Sequence, residues 1–259
     1  MNFPLSSAPS RVIGPLFLLC ATLFGTPTYG ANVGDKNGIT LQSTRVVYPG
    51  QAKNGITFTV TNNTAQPYLL QSRVIPWEAE RTDTRPAQDA QGTNMAPREV
   101  PFIVLPPLQR FEPGEALTLR IRLARNTFPT DRESVFVLSL KAIPGQSSSS
   151  ESARLVLAMQ NNLKLFYRPE GLPEYSAEQL ARQLRFQRQG SQLKVSNPTP
   201  YYMAFHSLSV GTQIVDMAWV PPFGEQAYPL PVSARGDITW QLIDGMGRVT
   251  PTQHRPLTD

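Results

Sequence analysis

The chain of 259 residues is 40% apolar and 17% charged, and 25 of its residues are proline, roughly twice the usual share. That density of helix breakers excludes a uniformly helical architecture, and the single cysteine, Cys20, excludes an intramolecular disulfide and a cysteine-based metal site. The formal net charge of +5, from 24 basic and 19 acidic side chains, is spread too thinly along the chain to form the charge stripe of a nucleic-acid-binding protein.

In chain order, the first segment reads as a secretory signal. Arg11 is the sole charge before Gly30, and an apolar run from Val12 to Phe24 follows it. The run is shorter than the roughly 18 to 20 residues that a membrane-spanning helix needs, and Gly25, Pro27 and Gly30 break it where a cleavage region belongs. Residues 1–30 are therefore expected to be removed, with the cut after Gly30. Leu19, rather than a small residue, precedes Cys20, so lipid attachment at that cysteine is not expected. No later segment is apolar for long enough to span a bilayer. The expectation is an exported, soluble protein that makes no use of disulfides.

From Ile39 onward, short β-rich runs alternate with Pro, Gly and Asn punctuation: Leu41 to Tyr48, Ile56 to Val60, Tyr68 to Ile75, Leu117 to Leu123, Val135 to Ile143 and Leu155 to Tyr167. This spacing predicts an antiparallel sandwich. Glu78 to Glu99 is polar, holds Pro86 and Pro97 and lacks apolar periodicity, which predicts a long surface connection. Gln146 to Ser152, with four consecutive serines, is a second break. After Pro169 the chain passes Gly171 and Pro173 into a short helix over Ser176 to Gln183 with Ser176 as its cap. New β-rich runs cover Leu184 to Val195, Tyr201 to Val210, Ile214 to Val220 and Ile238 to Ile243. The chain thus reads as all-β, with one sandwich over residues 31–169 and a second over 176–259.

The run from Leu155 to Tyr167 carries a chemical signal. Leu155, Leu157, Met159, Leu163, Leu165 and Tyr167 share one parity with Asn161, whereas Arg154, Gln160, Asn162, Lys164 and Arg168 take the other. An ordinary half-buried strand accounts for most such patterns. This one is longer than the usual five or six residues and follows a serine-rich segment. At a sheet edge it would expose an unpaired backbone ladder beside apolar side chains, an arrangement that makes sense when another chain is meant to add to it.

Six segments in succession resemble the periplasmic pilus chaperones, the PapD-like family. They are Thr44-Arg45-Val46-Val47-Tyr48; Pro101-Phe102-Ile103-Val104 leading to Pro106-Pro107-Leu108; Asp131-Arg132-Glu133-Ser134 before a strand ending at Ile143-Pro144; Leu163-Lys164-Leu165-Phe166-Tyr167-Arg168-Pro169; Asn197-Pro198-Thr199-Pro200-Tyr201-Tyr202; and Val220-Pro221-Pro222-Phe223-Gly224-Glu225. The resemblance implies a boomerang of two immunoglobulin-like β-sandwich domains located in the periplasm. Its partners would be pilus subunits, whose immunoglobulin-like fold lacks a final strand, and an outer-membrane usher that receives them. The chaperone would insert its own strand into the subunit groove, with Leu155, Leu157 and Met159 matching the plugging positions. Arg45 and Lys164 match the pair of cations that anchors the subunit's C-terminal carboxylate and so fixes the register. Glu133, Arg168 and Asp244 match an ion network across the domain interface. No cofactor and no metal are implied.

The pattern also departs from the family. Arg73 stands where Trp is common, Val137 replaces an aromatic residue, and Leu105 precedes Pro106 where Thr is usual. These changes spare the anchor and indicate a divergent branch. The short segment from Gly145 to Ala153 and the absence of paired cysteines point to the short-loop, pilus-assembling group. Two other functional classes compete with this one. His206 and His254 are the only histidines and lie in no metal-ligand spacing, and no Gly-x-Ser-x-Gly or phosphate-cradling loop occurs, so an enzyme is not expected. An exported adhesive or carbohydrate-binding sandwich is the alternative, since fold does not dictate function. Trp77, Trp219 and Trp240 nevertheless fall in separate segments rather than forming a local aromatic platform.

Overall fold

The computed structural model describes residues 38–77, 100–145, 157–215 and 219–257. The expected signal, the polar connection from Glu78 to Glu99, the serine-rich break and Leu155 lie outside the described residues.

Two sandwiches follow one another in the chain, each with its own core. The first places a four-stranded sheet, in the order β1 (Ile39–Leu41), β3 (Ile56–Asn62), β7 (Ala116–Leu123) and β5 (Phe102–Leu105), against a five-stranded one. The latter runs β2 (Arg45–Pro49), β9 (Met159–Arg168), β8 (Ser134–Pro144), β4 (Tyr68–Pro76) and β6 (Leu108–Phe111). Alternate residues of both sheets meet inside, among them Tyr48, Phe58, Leu70, Phe111, Ile121, Leu138 and Leu165. The second sandwich has a three-stranded sheet of β10 (Arg185–Gln189), β11 (Gln192–Ser196) and β15 (Glu225–Pro229). Opposite it, β13 (Gln213–Ile214), β12 (Met203–Val210), β16 (Ile238–Leu242) and β17 (Gln253–Arg255) pair in that order, with β14 (Trp219–Val220) also beside β12. Its core centres on Trp240, Leu184, Leu193, Met203 and Val220.

Helix α1 (Ala177–Gln183) forms where the sequence places it. The Ser176 hydroxyl accepts the Gln179 amide at 3.1 Å and the Gln179 side chain accepts the Ser176 amide at 2.7 Å, a reciprocal capping box. Ala181 turns inward, and its carbonyl accepts the buried Trp240 indole N–H at 3.2 Å.

Several sequence-predicted runs are divided in the folded chain. Leu41 to Tyr48 is not one strand: β1 pairs antiparallel with β3 in one sheet, and β2 pairs parallel with β9 in the other. The chain changes sheets between Leu41 and Arg45 because its two halves find hydrogen-bonding neighbours on opposite sides of the core. Leu184 to Val195 is a hairpin, β10 against β11, turned at Gly190, whose φ of +60° suits glycine. Ile214 to Val220 supplies two short strands, β13 and β14, which pair with different parts of β12.

The long strand predicted from Leu155 to Tyr167 is described as β9 from Met159. Its pairing with β8 runs from Ser134 opposite Tyr167 to Ala142 opposite Met159. Beyond that point β8 continues along β4, with Ile143 opposite Leu69. Leu157 and Ala158 precede the strand without regular pairing.

Candidate functional site

Strand parity builds the site. On β2, Val46 and Tyr48 point into the core, so Arg45 and Val47 take the outer face. On β9, Leu163, Leu165 and Tyr167 enter the core, so Lys164, Phe166 and Arg168 take the same outer face. The parallel register sets Arg45 opposite Lys164, Val47 opposite Phe166 and Pro49 opposite Arg168. The two candidate anchor cations are therefore neighbours on adjacent strands, whose spacing is about 4.8 Å.

This face turns toward the second sandwich. Arg45 is nearly buried, its Nη1 donates to the Ile243 carbonyl at 2.8 Å, and its guanidinium lies 5.5 Å from the Phe166 ring centroid. Burial lowers its pKa, with the Asp244 and Glu133 charges opposing that change. One of its five N–H donors is thus used on the second sandwich. The Lys164 Nζ lies 5.1 Å from the Trp77 ring centroid. Arg45 lines a cleft of about 390 Å³ together with Phe166, Arg168, Tyr202, Asp244 and others, whereas Lys164 stands on the Trp77 side.

Motifs far apart in the sequence converge here. Glu133 is 4% exposed. Its Oε1 accepts Arg168 Nε at 3.0 Å and Nη2 at 2.8 Å, and its Oε2 accepts the Tyr202 amide of the second sandwich at 2.9 Å. Its own amide donates to the Pro200 carbonyl at 2.9 Å. Burial pushes the Glu133 carboxyl above its usual range, with Arg168 and the Tyr202 N–H pulling in the opposite direction. Arg168 also lies over the Tyr201 ring at 4.8 Å, and Arg132 over Phe223 at 5.0 Å.

The positions of Tyr201 and Tyr202 follow from the Asn197-Pro198-Thr199 turn. The buried Asn197 amide donates to the Tyr201 and Pro221 carbonyls at 2.7 and 2.9 Å, while its oxygen accepts the Thr199 amide and hydroxyl at 3.0 and 2.7 Å. Asn62 and Thr64 form the same kind of knot in the first sandwich. A compact polar turn held by its own side chains needs no external partner to hold its shape.

Asp244 has a different setting from Glu133 and Arg168. Its carboxylate accepts the Met246 amide, the Arg248 amide and Arg248 Nε at 2.9, 2.8 and 2.8 Å. Burial pushes its pKa upward, but these bonds and the Arg248 charge outweigh that effect and hold it below the ordinary range. The turn it closes presents the Ile243 carbonyl to Arg45. Gly247, at φ +83°, lies within that turn, and a Cβ there would collide with the Thr44 hydroxyl of the first sandwich.

The apolar row ends differently at its two extremes. Leu165 is fully buried, while Met159 and Leu157 are 44% and 68% exposed. Of the three candidate plugging residues, these two stand in the described structure. The aromatic contacts were not legible in the sequence: Trp77 packs edge-on against Trp219 with centroids 5.5 Å apart, and Trp219 stacks on Tyr202 at 5.6 Å. The three tryptophans do fall in separate segments, yet two of them meet across the interface.

Two family models cover most of the described chain: the N-terminal domain of the PapD pili and flagellar-assembly chaperones over residues 38–173, and the C-terminal domain of the PapD pili-assembly chaperones over 179–254. The chain belongs to the PapD-like family of pilus-assembly chaperones. It is 38% identical to the chaperone protein FimC of Escherichia coli over 217 residues, covering 83% of this chain and 82% of the relative. A chain from the Salmonella enterica complex of the SafA pilin with the SafB chaperone superposes with a TM-score of 0.70 at 32% identity, covering 85% of this chain and 97% of that one. The E. coli chaperone DraB superposes with a TM-score of 0.68 at 31% identity, covering 85% and 97%. These likenesses do not favour an adhesive or carbohydrate-binding protein.

Proposed function

We propose that this chaperone captures pilus subunits by lending them the exposed end of β9 and anchoring their C-terminal carboxylate on Arg45 and Lys164. The reading rests on one observation: Arg45 is the register partner of Lys164 on β9, whose other end presents Met159 to solvent, with the exposed Leu157 just before it. The subunit fold lacks a strand, and the chaperone's backbone ladder supplies one with little dependence on subunit sequence. Leu155, Leu157 and Met159 fill the groove, each contributing roughly 1.5 to 3 kcal/mol on burial, offset by the ordering of the preceding segment. The two cations make charge-assisted bonds to one carboxylate and so set which side chains face the groove.

Glu133 and Arg168 hold the sandwiches in a fixed relation, and Asp244 shapes the turn that meets Arg45. The domain boundary falls between Pro169 and Ser176. Residues 1–30 direct export to the periplasm, where the loaded chaperone delivers its subunit to an outer-membrane usher.

Co-expression with a subunit and recovery of the complex from the periplasm tests the reading. Arg45→Ala and Lys164→Ala should each abolish recovery while the chaperone itself stays folded. Normal recovery from both variants would overturn the anchor assignment.

A further inference from the structure

Both candidate anchor cations rest on one continuous run of aromatic rings that crosses from the first sandwich to the second. Lys164 Nζ lies 5.1 Å from Trp77, Trp77 lies 5.5 Å from Trp219, Trp219 lies 5.6 Å from Tyr202, Tyr202 lies 5.8 Å from Phe166, and Arg45 lies 5.5 Å from Phe166. Trp77 and Phe166 belong to the first sandwich, Trp219 and Tyr202 to the second. The cations are secured differently, however. Arg45 reaches the second sandwich by a direct hydrogen bond to the Ile243 carbonyl. For Lys164, the connection runs through the indole pair.

The far end of that connection is firmly mounted. The Tyr228 hydroxyl accepts the Trp219 amide at 2.9 Å and donates to the Trp219 carbonyl at 2.5 Å, gripping its backbone from both sides. The Trp219 ring lies nearly parallel to Tyr202, with an interplanar angle of 17°, and meets Trp77 at 68°. Both geometries are favoured by the ring quadrupoles. The Trp77 Nε1 is buried and has no hydrogen-bond acceptor among the described residues. A buried donor left without an acceptor costs free energy, so the contribution of this indole lies in its ring face, which attracts the ammonium, and in its T-shaped contact with the Trp219 ring.

We infer that Trp77 and Trp219 are positioning residues that tie the Lys164 ammonium to the second sandwich. The domain that contributes no strand to the subunit thereby governs how one of the two anchor cations is presented. The inference rests on the reading of Lys164 as a carboxylate anchor and adds a specificity role for the interface. A flexible lysine stem held over a ring loses fewer conformations when it meets a carboxylate, and cation–π contacts of this kind correspond to roughly 2- to 30-fold in affinity.

The test uses the processed full-length chaperone with its lysine side chains isotopically labelled, and Lys164→Arg to assign the Lys164 signal. In the wild type, the Lys164 CεH2 protons should be shifted upfield by the Trp77 ring current. Trp77→Leu should abolish that shift, Trp77→Phe should retain part of it, and Trp219→Leu should reduce it although Trp219 does not touch the lysine. Tyr228→Phe, which loosens Trp219 without emptying the core, supplies a milder variant should Trp219→Leu fail to fold. A shift unchanged in Trp77→Leu, or in both second-sandwich variants, would overturn the inference.

A second measurement titrates an acetylated pentapeptide of alternating Thr and Val, with a free carboxylate or as its amide. Trp77→Leu and Trp219→Leu should lower the preference for the free acid by roughly 2- to 30-fold, and Trp77→Phe should restore most of it. A wild type showing no preference for the free acid would refute the anchor reading, while the ring-current result would still decide whether the indole pair holds Lys164. A preference that both Leu variants retain would refute the specificity role.

Discussion

Between Lys164 and Tyr167, β9 is paired with β2 on one side and β8 on the other, whereas from Met159 to Leu163 only β8 pairs with it among the described residues. The same alternation of apolar and polar side chains runs through both halves. At the inner end the apolar parity becomes core, with Leu165 and Tyr167 buried; at the outer end it leaves Met159 half exposed. The difference is one of neighbours. Where a second strand and an opposing sheet exist, the pattern stabilises the chaperone; where they do not, it remains available to another chain.

The largest effect that tests this contrast is on stability. Leu165→Ala should lower unfolding free energy by about 2 to 5 kcal/mol, as expected for emptying a packed core. Leu157→Ala, in the same row but 68% exposed, should change it by less than about 0.5 kcal/mol. Equal costs in urea unfolding would erase the distinction between the two ends.

Capture should show the reverse order. Leu157→Asp places a charge where an apolar plug is required and should reduce recovery of the subunit complex by about tenfold or more, the equivalent of losing roughly 1.5 to 3 kcal/mol of burial. Its unfolding midpoint should match the wild type. Unchanged recovery would show that the outer end is not the lent segment.

Beside the inner end, Glu133 makes stability depend on pH. Because burial raises its carboxyl pKa in the folded chain, the folded state holds that proton more tightly than the unfolded one. The resulting stabilisation is complete below the ordinary carboxylate range and is lost as pH rises through the raised value. Glu133→Gln keeps an acceptor for the Tyr202 amide and should flatten this dependence, gaining on the wild type as pH rises through that window. Urea unfolding at a series of pH values measures it; a wild-type advantage that grows with pH would reverse the assignment. The smallest effect concerns Asn161, the polar interruption of the exposed row. Asn161→Val should leave stability within about 0.5 kcal/mol and improve capture by a modest factor, and a loss of capture would mean that the polar residue is itself required.

Much of this was legible in the sequence because it depends on residues close together in the chain. The alternation from Leu155 to Tyr167, the capping box of Ser176 and Gln179 and the punctuation between strands are local chemistry, and they define an all-β chain with one short helix. The family motifs also mark Arg45 and Lys164. Less was legible at Leu41 to Tyr48, where one extended run serves two sheets, since β propensity does not say which neighbour completes the backbone bonds.

Only the tertiary structure set Arg45 opposite Lys164, brought Glu133 to the Tyr202 amide and joined Trp77 to Trp219. Each of these pairs is separated by a long stretch of chain, so its meeting depends on sheet register and on the packing of one sandwich against the other rather than on any local pattern. The diffuse surplus of positive charge in the composition likewise acquires meaning only there, where strand pairing places two of its cations side by side.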